Sequence, residues 1–433
     1  MHLNEITKHP RIVIVGGGFG GIELAKALKK FDGEVLLIDR HNYHIFQPLL
    51  YQVATGSIQA ESIAFPLRKI FNNQHNVTFI YSNVISVNAS ANTITTTDGD
   101  VSYDYLVLAT GSDTNFFGNK EIEHFSMPMK NVTEALNMRS LILQNLEVAF
   151  LEKDPEKKQA LLNFVIVGGG PTGVELSGAI AEFKNHVLHK DYPERKDENM
   201  KVYLVEGKTE LLAAMSPEAS HHAKKNLTDM GVEIYTDVHV KSYDGELLTI
   251  DNGTTIRTKN VIWAAGVKGK VPAGFSPGTL TKGNRVQVDA INRVHDYQNV
   301  FVIGDAAAMI SLEHPQGHPG VAPAAIQQGQ HLAKNLIRII KGEPTVPFVY
   351  KDKGSLATIG RNQGVADLGK IHLHGFIAWL IWIFVHLMSL VGFTNRLIIF
   401  LSWASSYLTY NGGSRLIIRR FNTKEMKIDP EAD

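Results

Sequence analysis

Two glycine-rich turns constrain this chain more than any other feature. The segments IVIVGGGFGGIELAKAL and NFVIVGGGPTGVELSGAI each run from an apolar, β-branched stretch into helix-forming residues. Gly16, Gly18 and Gly21 hold the G-x-G-x-x-G places in the first, and Gly168, Gly170 and Gly173 hold them in the second. At such a strand-to-helix turn the first glycine makes the bend and the second lets the backbone approach a pyrophosphate. The third lets helix and strand pack closely. The helix N-terminus adds N–H donors and a partial positive charge. One loop of this kind is weak, because glycine turns after strands are common. Two in full context predict two dinucleotides held face to face, and electron transfer between them.

An acidic strand end follows each loop. EVLLID ends in Asp39, close to the usual distance of about 20 residues, and KVYLVE ends in Glu206, further on. The excess is assigned to a polar insertion, Lys184 to Met200, expected to be a surface loop. A carboxylate here accepts from a ribose 2′-OH and repels a 2′-phosphate, so Glu206 favours NADH over NADPH.

Composition narrows the chemistry. The 433 residues suffice for two or three domains with real cores. The 43 basic and 43 acidic residues cancel, so nothing points to nucleic acid. The chain has no cysteine, which excludes a redox Cys pair or a thiolate that attacks sulfide. The polar start, MHLNEITKHP, does not read as a signal peptide, and the nucleotide domains are expected in the cytoplasm.

Further segments complete a flavoprotein pattern. YDYLVLATGS carries Ala109, Thr110 and Gly111 in a small-residue turn directed at an FAD pyrophosphate. NVFVIGDAAA puts Gly304 and Asp305 at a strand end, where Asp305 suits the ribityl chain. NVIWAAGV brings Ala265 and Gly266 to the matching turn of the second nucleotide site.

With these segments in order, the chain resembles the type II NADH dehydrogenases, single-subunit NADH:quinone oxidoreductases that pump no protons, within the flavoproteins with two dinucleotide-binding domains. NYHIFQPLLYQVATG, with Gln47, Pro48 and Leu49, resembles the family's segment around the isoalloxazine. HPGVAPAAIQQGQHLAKN resembles its quinone-site helix. KGSLATIGRNQGVAD and the Trp-rich tail extend the likeness over nearly the whole chain. The resemblance implies that Phe19, Gly20 and Arg40 join the FAD site and that Pro171 and Thr172 join the NADH site. It also implies hydride transfer from NADH to flavin N5, then two electrons and two protons to a membrane quinone. Glu175 is expected near flavin and nicotinamide, where it relays protons or positions NADH. Gln327 and Gln328 are expected at the quinone head. A homodimer is also implied.

One place departs from the family. Its A-Q-x-A-x-Q helix here reads Ala322, Pro323, Ala324, Ala325, Ile326, Gln327. Pro323 brings no donor for a quinone carbonyl, although proline suits a helix start.

The tail sets the expected location. No Lys, Arg, Asp or Glu occurs from Ile371 to Asn395, and Trp379, Trp382 and Trp403 are closely spaced. Histidines, Gly375, Gly392 and Arg396 interrupt the apolar run before Leu397 to Tyr410, and Arg415, Arg419 and Arg420 follow. This suits helices lying in the headgroup layer rather than a span, hence a monotopic protein on the cytoplasmic face of the cell membrane, touching lipid. His186 and His189, with Glu182, are a metal pair only by spacing, and no metal site is expected. His314 and His318 read as loop residues at a ligand rim, and EKDPEKK (Glu152 to Lys158) as a solvated linker between domains.

The expected fold is α/β, with two Rossmann-like dinucleotide-binding domains and a C-terminal membrane-associating helical segment. FAD takes residues 1–118 and 296–345, NAD(H) takes 119–295, and 346–433 closes the flavin site. A soluble reductase serving an electron-carrier protein, and an NADH-sensing flavoprotein, are the alternatives.

Overall fold

In the computed structural model of the chain, which describes residues 9–193, 199–409 and 415–417, both glycine turns leave the middle strand of a five-stranded sheet. In the first sheet Arg11–Val15 lies between Glu34–Asp39 and Tyr105–Leu108, with Val77–Tyr81 and Val300–Val302 at the edges. All four pairings are parallel. In the second, Asn163–Val167 lies between Lys201–Val205 and Asn260–Trp263, with Val232–Tyr235 and Met127–Pro128 outside, again all parallel. Every residue of both central strands is buried. That is why RIVIV and NFVIV read as nearly unbroken apolar runs rather than as alternation: each face of a parallel sheet is covered.

An antiparallel meander accompanies each sheet: Val84–Asn88, Thr93–Thr96 and Gly99–Ser102 in one case, Val240–Tyr243, Leu247–Ile250 and Thr255–Arg257 in the other. The architecture is thus used twice. Val13, Leu36, Leu106 and Val302 join Val87, Ile94 and Val101 in one apolar core. Val165, Tyr203 and Val261 join Tyr243, Leu248 and Ile256 in its counterpart.

Contacts divide the chain into two units. One contains the described residues through 44, with 65–113 and 267–352; the other contains 45–64, 114–266 and the described residues from 353. These boundaries differ from the expected ones at 118, 295 and 345. Residues 267–295 group with the first sheet because Val286–Val288 pairs in parallel with Ala307–Met309, a register that no local pattern announces. Residues 45–64 group with the second because the short helix Leu50–Ala54 packs on the helices Val132–Leu151 and Pro171–Glu182.

Two expected loops are partly helical. EKDPEKK is a connection only as far as Asp154, whose side chain accepts from the N–H groups of Glu156 and Lys157 and caps the helix Pro155–Leu162. The insertion after Glu182 begins as a continuation of its helix, through a wide turn at Phe183–Leu188 and on to His189–Asp191. The rest of that insertion between 194 and 198 lies outside the described residues, as do the polar start before His9 and Tyr410, Arg419 and Arg420.

The tail opens with an antiparallel sheet, Ser355–Thr358, Gly364–Leu368 and Ile371–His374. The uncharged run is therefore split into a strand, the 15-residue helix Gly375–Ser389 and a break where Gly392 takes φ 85°. The helix Phe393–Thr409 follows. At 1.5 Å per residue the first helix is roughly 22 Å long, short of a hydrocarbon core of about 30 Å. Among the described residues no helix is long and apolar enough to cross a membrane.

Candidate functional site

The two glycine turns are built alike. Gly16 and Gly168 take φ 109° and 114°, and their N–H groups donate to Ile38 O and Val205 O, both at 2.8 Å. A Cβ on Gly21 would stand 1.9 Å from Gly16 O, and one on Gly173 would stand 1.8 Å from Gly168 O. These are the close helix–strand contacts that only glycine permits. Gly18 and Gly170 are different, because a Cβ on either meets nothing within 4 Å. They face open space at helices that begin without a side-chain cap. Two uncapped helix N-termini, each beside a bare backbone, form cradles of the right chemistry for a pyrophosphate. Phe19 and Gly20 open the first helix, and Pro171 and Thr172 lie exposed at the start of the second.

The strand-end acids close each turn. Asp39 accepts from Gly17 N at 2.5 Å and His41 N at 2.7 Å. Glu206 accepts in the same way from Gly169 N, and from Lys208 N at 2.8 Å. Each carboxylate is thereby fixed at the end of its strand with lone pairs to spare for a hydroxyl.

Within the first unit, Ala109 N donates to Val15 O at 2.7 Å, so its turn abuts Gly16. Thr110 donates to Lys270 O, and Gly111 takes φ 71°. Asp305 accepts from Ser112 Oγ at 2.6 Å beside Gly304, which has φ 69°. Arg40 is half-buried next to Asp39. Within the second unit, Ala265 abuts Gly168, and Gly266 takes φ 75° against the Phe117 ring. Gln47 donates to Lys130 O at 3.2 Å, Pro48 is half-buried and Leu49 is wholly buried in a single turn that contacts cluster with this unit.

Glu175 is the buried acid of the second loop helix, 7% exposed. Its Oε1 accepts from Trp382 Nε1 at 3.1 Å and Thr358 N at 3.4 Å. Burial pushes its pKa up to about 8, against the opposing pull of those two donors. Tyr51 packs edge-on to Trp382, with ring centroids 6.4 Å apart. Burial and the nearby Glu175 raise the Tyr51 phenol well above its ordinary value. His386 stacks on Trp382 at 4.0 Å, donates from Nδ1 to Trp382 O at 2.7 Å, and its pKa is driven down to about 4 by burial. At neutral pH this cluster is a protonated carboxyl among neutral rings.

The family model for the pyridine nucleotide-disulphide oxidoreductases matches residues 10–329, and that for the NDH2 C-terminal domain matches 353–410. The type II NADH:quinone oxidoreductase Ndh of Mycobacterium tuberculosis is 37% identical over 422 residues, covering 94% of this chain and 90% of the relative. The chain belongs to the type II NADH:quinone oxidoreductases. A type II NADH:quinone oxidoreductase of Staphylococcus saprophyticus is 28% identical, covering 82% and 89% of the two chains. The solved structure of NDH2 from Plasmodium falciparum in complex with NADH covers 95% of this chain and all of its own, with a TM-score of 0.85. At 21% identity it attests the fold alone.

In this type II oxidoreductase the two glutamines expected at a quinone are differently placed. The helix Ala322–Ile340 starts with proline in its first turn, as expected of Pro323. Gln328 is 2% exposed, and its Oε1 accepts from Gly304 N at 2.7 Å. Gln327 is half-buried, and both ends of its amide bond the backbone of Lys351, at 2.9 and 3.0 Å. Gln328 is thus a strut for the Asp305 turn. Gln328→Leu is expected to leave Gly304 N–H unpaired and cost about 1–3 kcal/mol of stability, read as a lower melting temperature.

Sequence reasoning missed three participants. His44 is buried, 3.1 Å from Gly17 O and edge-on to Phe19, with its pKa lowered to about 4 by burial. It backs the first glycine turn. Tyr51 sits one turn beyond Gln47 in a segment already singled out, so position was its only signal. Trp382 was assigned to a membrane layer by composition, yet it is fully buried on Glu175. His314 and His318 do adjoin, with rings 4.4 Å apart, and His318 is buried against Phe348.

Proposed function

We propose that this protein is an FAD-dependent NADH:quinone oxidoreductase docked on a membrane surface. The observation that carries the proposal is the duplication of one nucleotide cradle, turn, open glycine and gripped acid alike, in a chain of this family. We assign the first cradle to FAD: backbone N–H groups at Gly18, Phe19 and Gly20 for the pyrophosphate, Asp39 for the ribose, with Arg40 beside it. Ala109 to Gly111 and Gly304 border the same cofactor, and Asp305 suits its ribityl chain. Gln47, Pro48 and Leu49 are assigned to its ring. The second cradle is assigned to NADH, with Gly170, Pro171 and Thr172 on the phosphates, Glu206 on the ribose, and Ala265 and Gly266 at the facing turn.

When bound, FAD supplies the chemistry, accepting hydride at N5 and passing two electrons to quinone. The chain's own work is to bind, orient and handle protons. Glu175 holds a proton at neutral pH and can release it when the reduced acceptor needs one. Trp382 and Thr358 N–H groups then stabilise the carboxylate left behind. Gln327, already half-exposed, is assigned to the rim of the quinone approach. Quinones are confined to membranes, and the tail helices expose Ile377, Phe384, Phe393 and Leu401, from 56% to 79% open. We assign this face to lipid on the cytoplasmic side, and a homodimer by family resemblance.

Steady-state assay of the FAD-loaded protein with a short-chain quinone tests the reading. NADH is expected to support turnover and NADPH is expected to be poor. Glu206→Gln, which removes the charge that repels a 2′-phosphate, is expected to narrow that preference by about tenfold. Equal turnover with both nucleotides in the unaltered protein would remove Glu206 from its role. Absence of quinone reduction would remove the function.

A further inference from the structure

Away from the nucleotide cradles, a narrow, partly open cleft lies within the second unit. Ile142, Leu143, Ile180 and Phe183 form apolar walls, and Arg139 and Arg415, with Ala54 and Thr55, complete the lining. Arg139 is 8% exposed, on the long helix Val132–Leu151. Its Nε is buried without a hydrogen-bond partner. Burial lowers its pKa, and only the exposed Glu61 acts in the opposite sense. Arg415 is tethered by Asp191 at 2.8 Å, and is followed at once by Leu416 and Ile417, 62% and 39% exposed.

A buried cation with an unused donor is costly unless something negative joins it. The unpaired guanidinium of Arg139, in a cleft that the Asp191-paired Arg415 also lines, favours an oxyanion with several acceptor oxygens, above all a phosphate. The apolar walls and the exposed Leu416 and Ile417 favour a phosphate that carries hydrocarbon. The cleft also adjoins the tail: Ala54, on its rim, closes the short helix whose Gln52 accepts from Trp403 Nε1 at 2.8 Å. We propose that this cleft binds the phosphate of an anionic phospholipid, with Arg139 as the inner ligand and Arg415 as the outer one. A neutral quinone would leave the charge uncompensated. The site stands apart from the reading of the catalytic cradles, and shares with it only the membrane as source of the phosphate.

The test uses the FAD-loaded full chain in a neutral detergent, titrated calorimetrically with dihexanoyl phosphatidylglycerol. Dihexanoyl phosphatidylcholine and inorganic phosphate serve as comparisons. Saturable binding of one phosphatidylglycerol per chain is expected, at least about tenfold tighter than either comparison. Arg139→Met and Arg415→Gln are each expected to weaken it by about tenfold, the loss of one charge-assisted contact. Arg139→Met carries a second readout: it removes an unpaired buried charge, so it should melt higher than the parent without lipid and gain less from lipid. Inorganic phosphate binding as tightly as phosphatidylglycerol would overturn the lipid assignment. Phosphatidylglycerol binding unchanged in both variants would overturn the site. Quinone turnover is not read at any point, so failure here is separate from failure of the proposed function.

Discussion

Gly18→Val is expected to yield a folded, colourless protein, and Gly170→Val a yellow one that NADH hardly bleaches. Both positions are open glycines. A Cβ at either position meets no atom within 4 Å, and neither has a left-handed φ, at −77° and −72°. The apo fold should tolerate the change. What the side chain does fill is the space into which a pyrophosphate would settle, displacing it from the N–H groups of the helix start. Losing such charge-assisted bonds is expected to weaken FAD retention in one variant by roughly a hundredfold, with a similar loss in NADH affinity in the other. Absorbance at purification and bleaching against NADH concentration read the two effects separately. The reverse pattern would exchange the two cradles. Gly21 and Gly173 are poorer probes, because there a Cβ strikes backbone oxygen and would disturb the fold itself.

The second large effect concerns Glu175. With its pKa pushed up to about 8, the carboxyl is protonated at pH 7 and ionises above it. Quinone reduction that draws on this proton is expected to decline as pH rises through about 8, and Glu175→Gln should remove that inflection and slow turnover by about 10²- to 10⁴-fold. Trp382→Phe deletes a donor to the ionised form, so the inflection should move alkaline, not acid. The linkage has a definite sign. An acid whose folded pKa lies above its unfolded value binds extra proton in the folded state, and stability falls with rising pH across the interval. Here that interval runs from the ordinary 4.5 to about 8. At pH 9, where the parent carries a buried charge, Glu175→Gln should melt higher than the parent. An unchanged pH profile in both variants would leave Glu175 a structural residue.

What the sequence disclosed and what it withheld have one physical explanation. The nucleotide cradles were legible because strand, turn, helix and acidic strand end follow one another within a single βαβ unit. Gly16, Gly21 and Asp39 constrain one another locally, and so do Gly168, Gly173 and Glu206. The apolar runs RIVIV and NFVIV marked central parallel strands for the same reason. Long-range pairing was not legible. Trp382 meets Glu175 from 207 residues away, so its tryptophan could be counted as an interfacial residue but not as a partner. The pairing of Val286–Val288 with Ala307–Met309 likewise moved 267–295 to the first unit. Gln328 shows the limit of motif transfer: a helix pattern marked the residue, but the buried amide of Gly304 uses its oxygen. The tail's lack of charge announced apolar helices. It did not announce that Ile371–His374 would pair with Gly364–Leu368 and shorten the first of them.

Two electrons are expected to pass from NADH to quinone through one bound flavin. Stopped-flow absorbance of the FAD-loaded, detergent-solubilised protein tests it most directly, as two half-reactions on the same sample. Rapid bleaching by NADH is expected, with little by NADPH, and rapid recovery of the oxidised spectrum when menaquinone or ubiquinone analogues are added without oxygen. Flavin that NADH reduces and quinones leave reduced would contradict it, and would mark the protein as a reductase or sensor with a different acceptor.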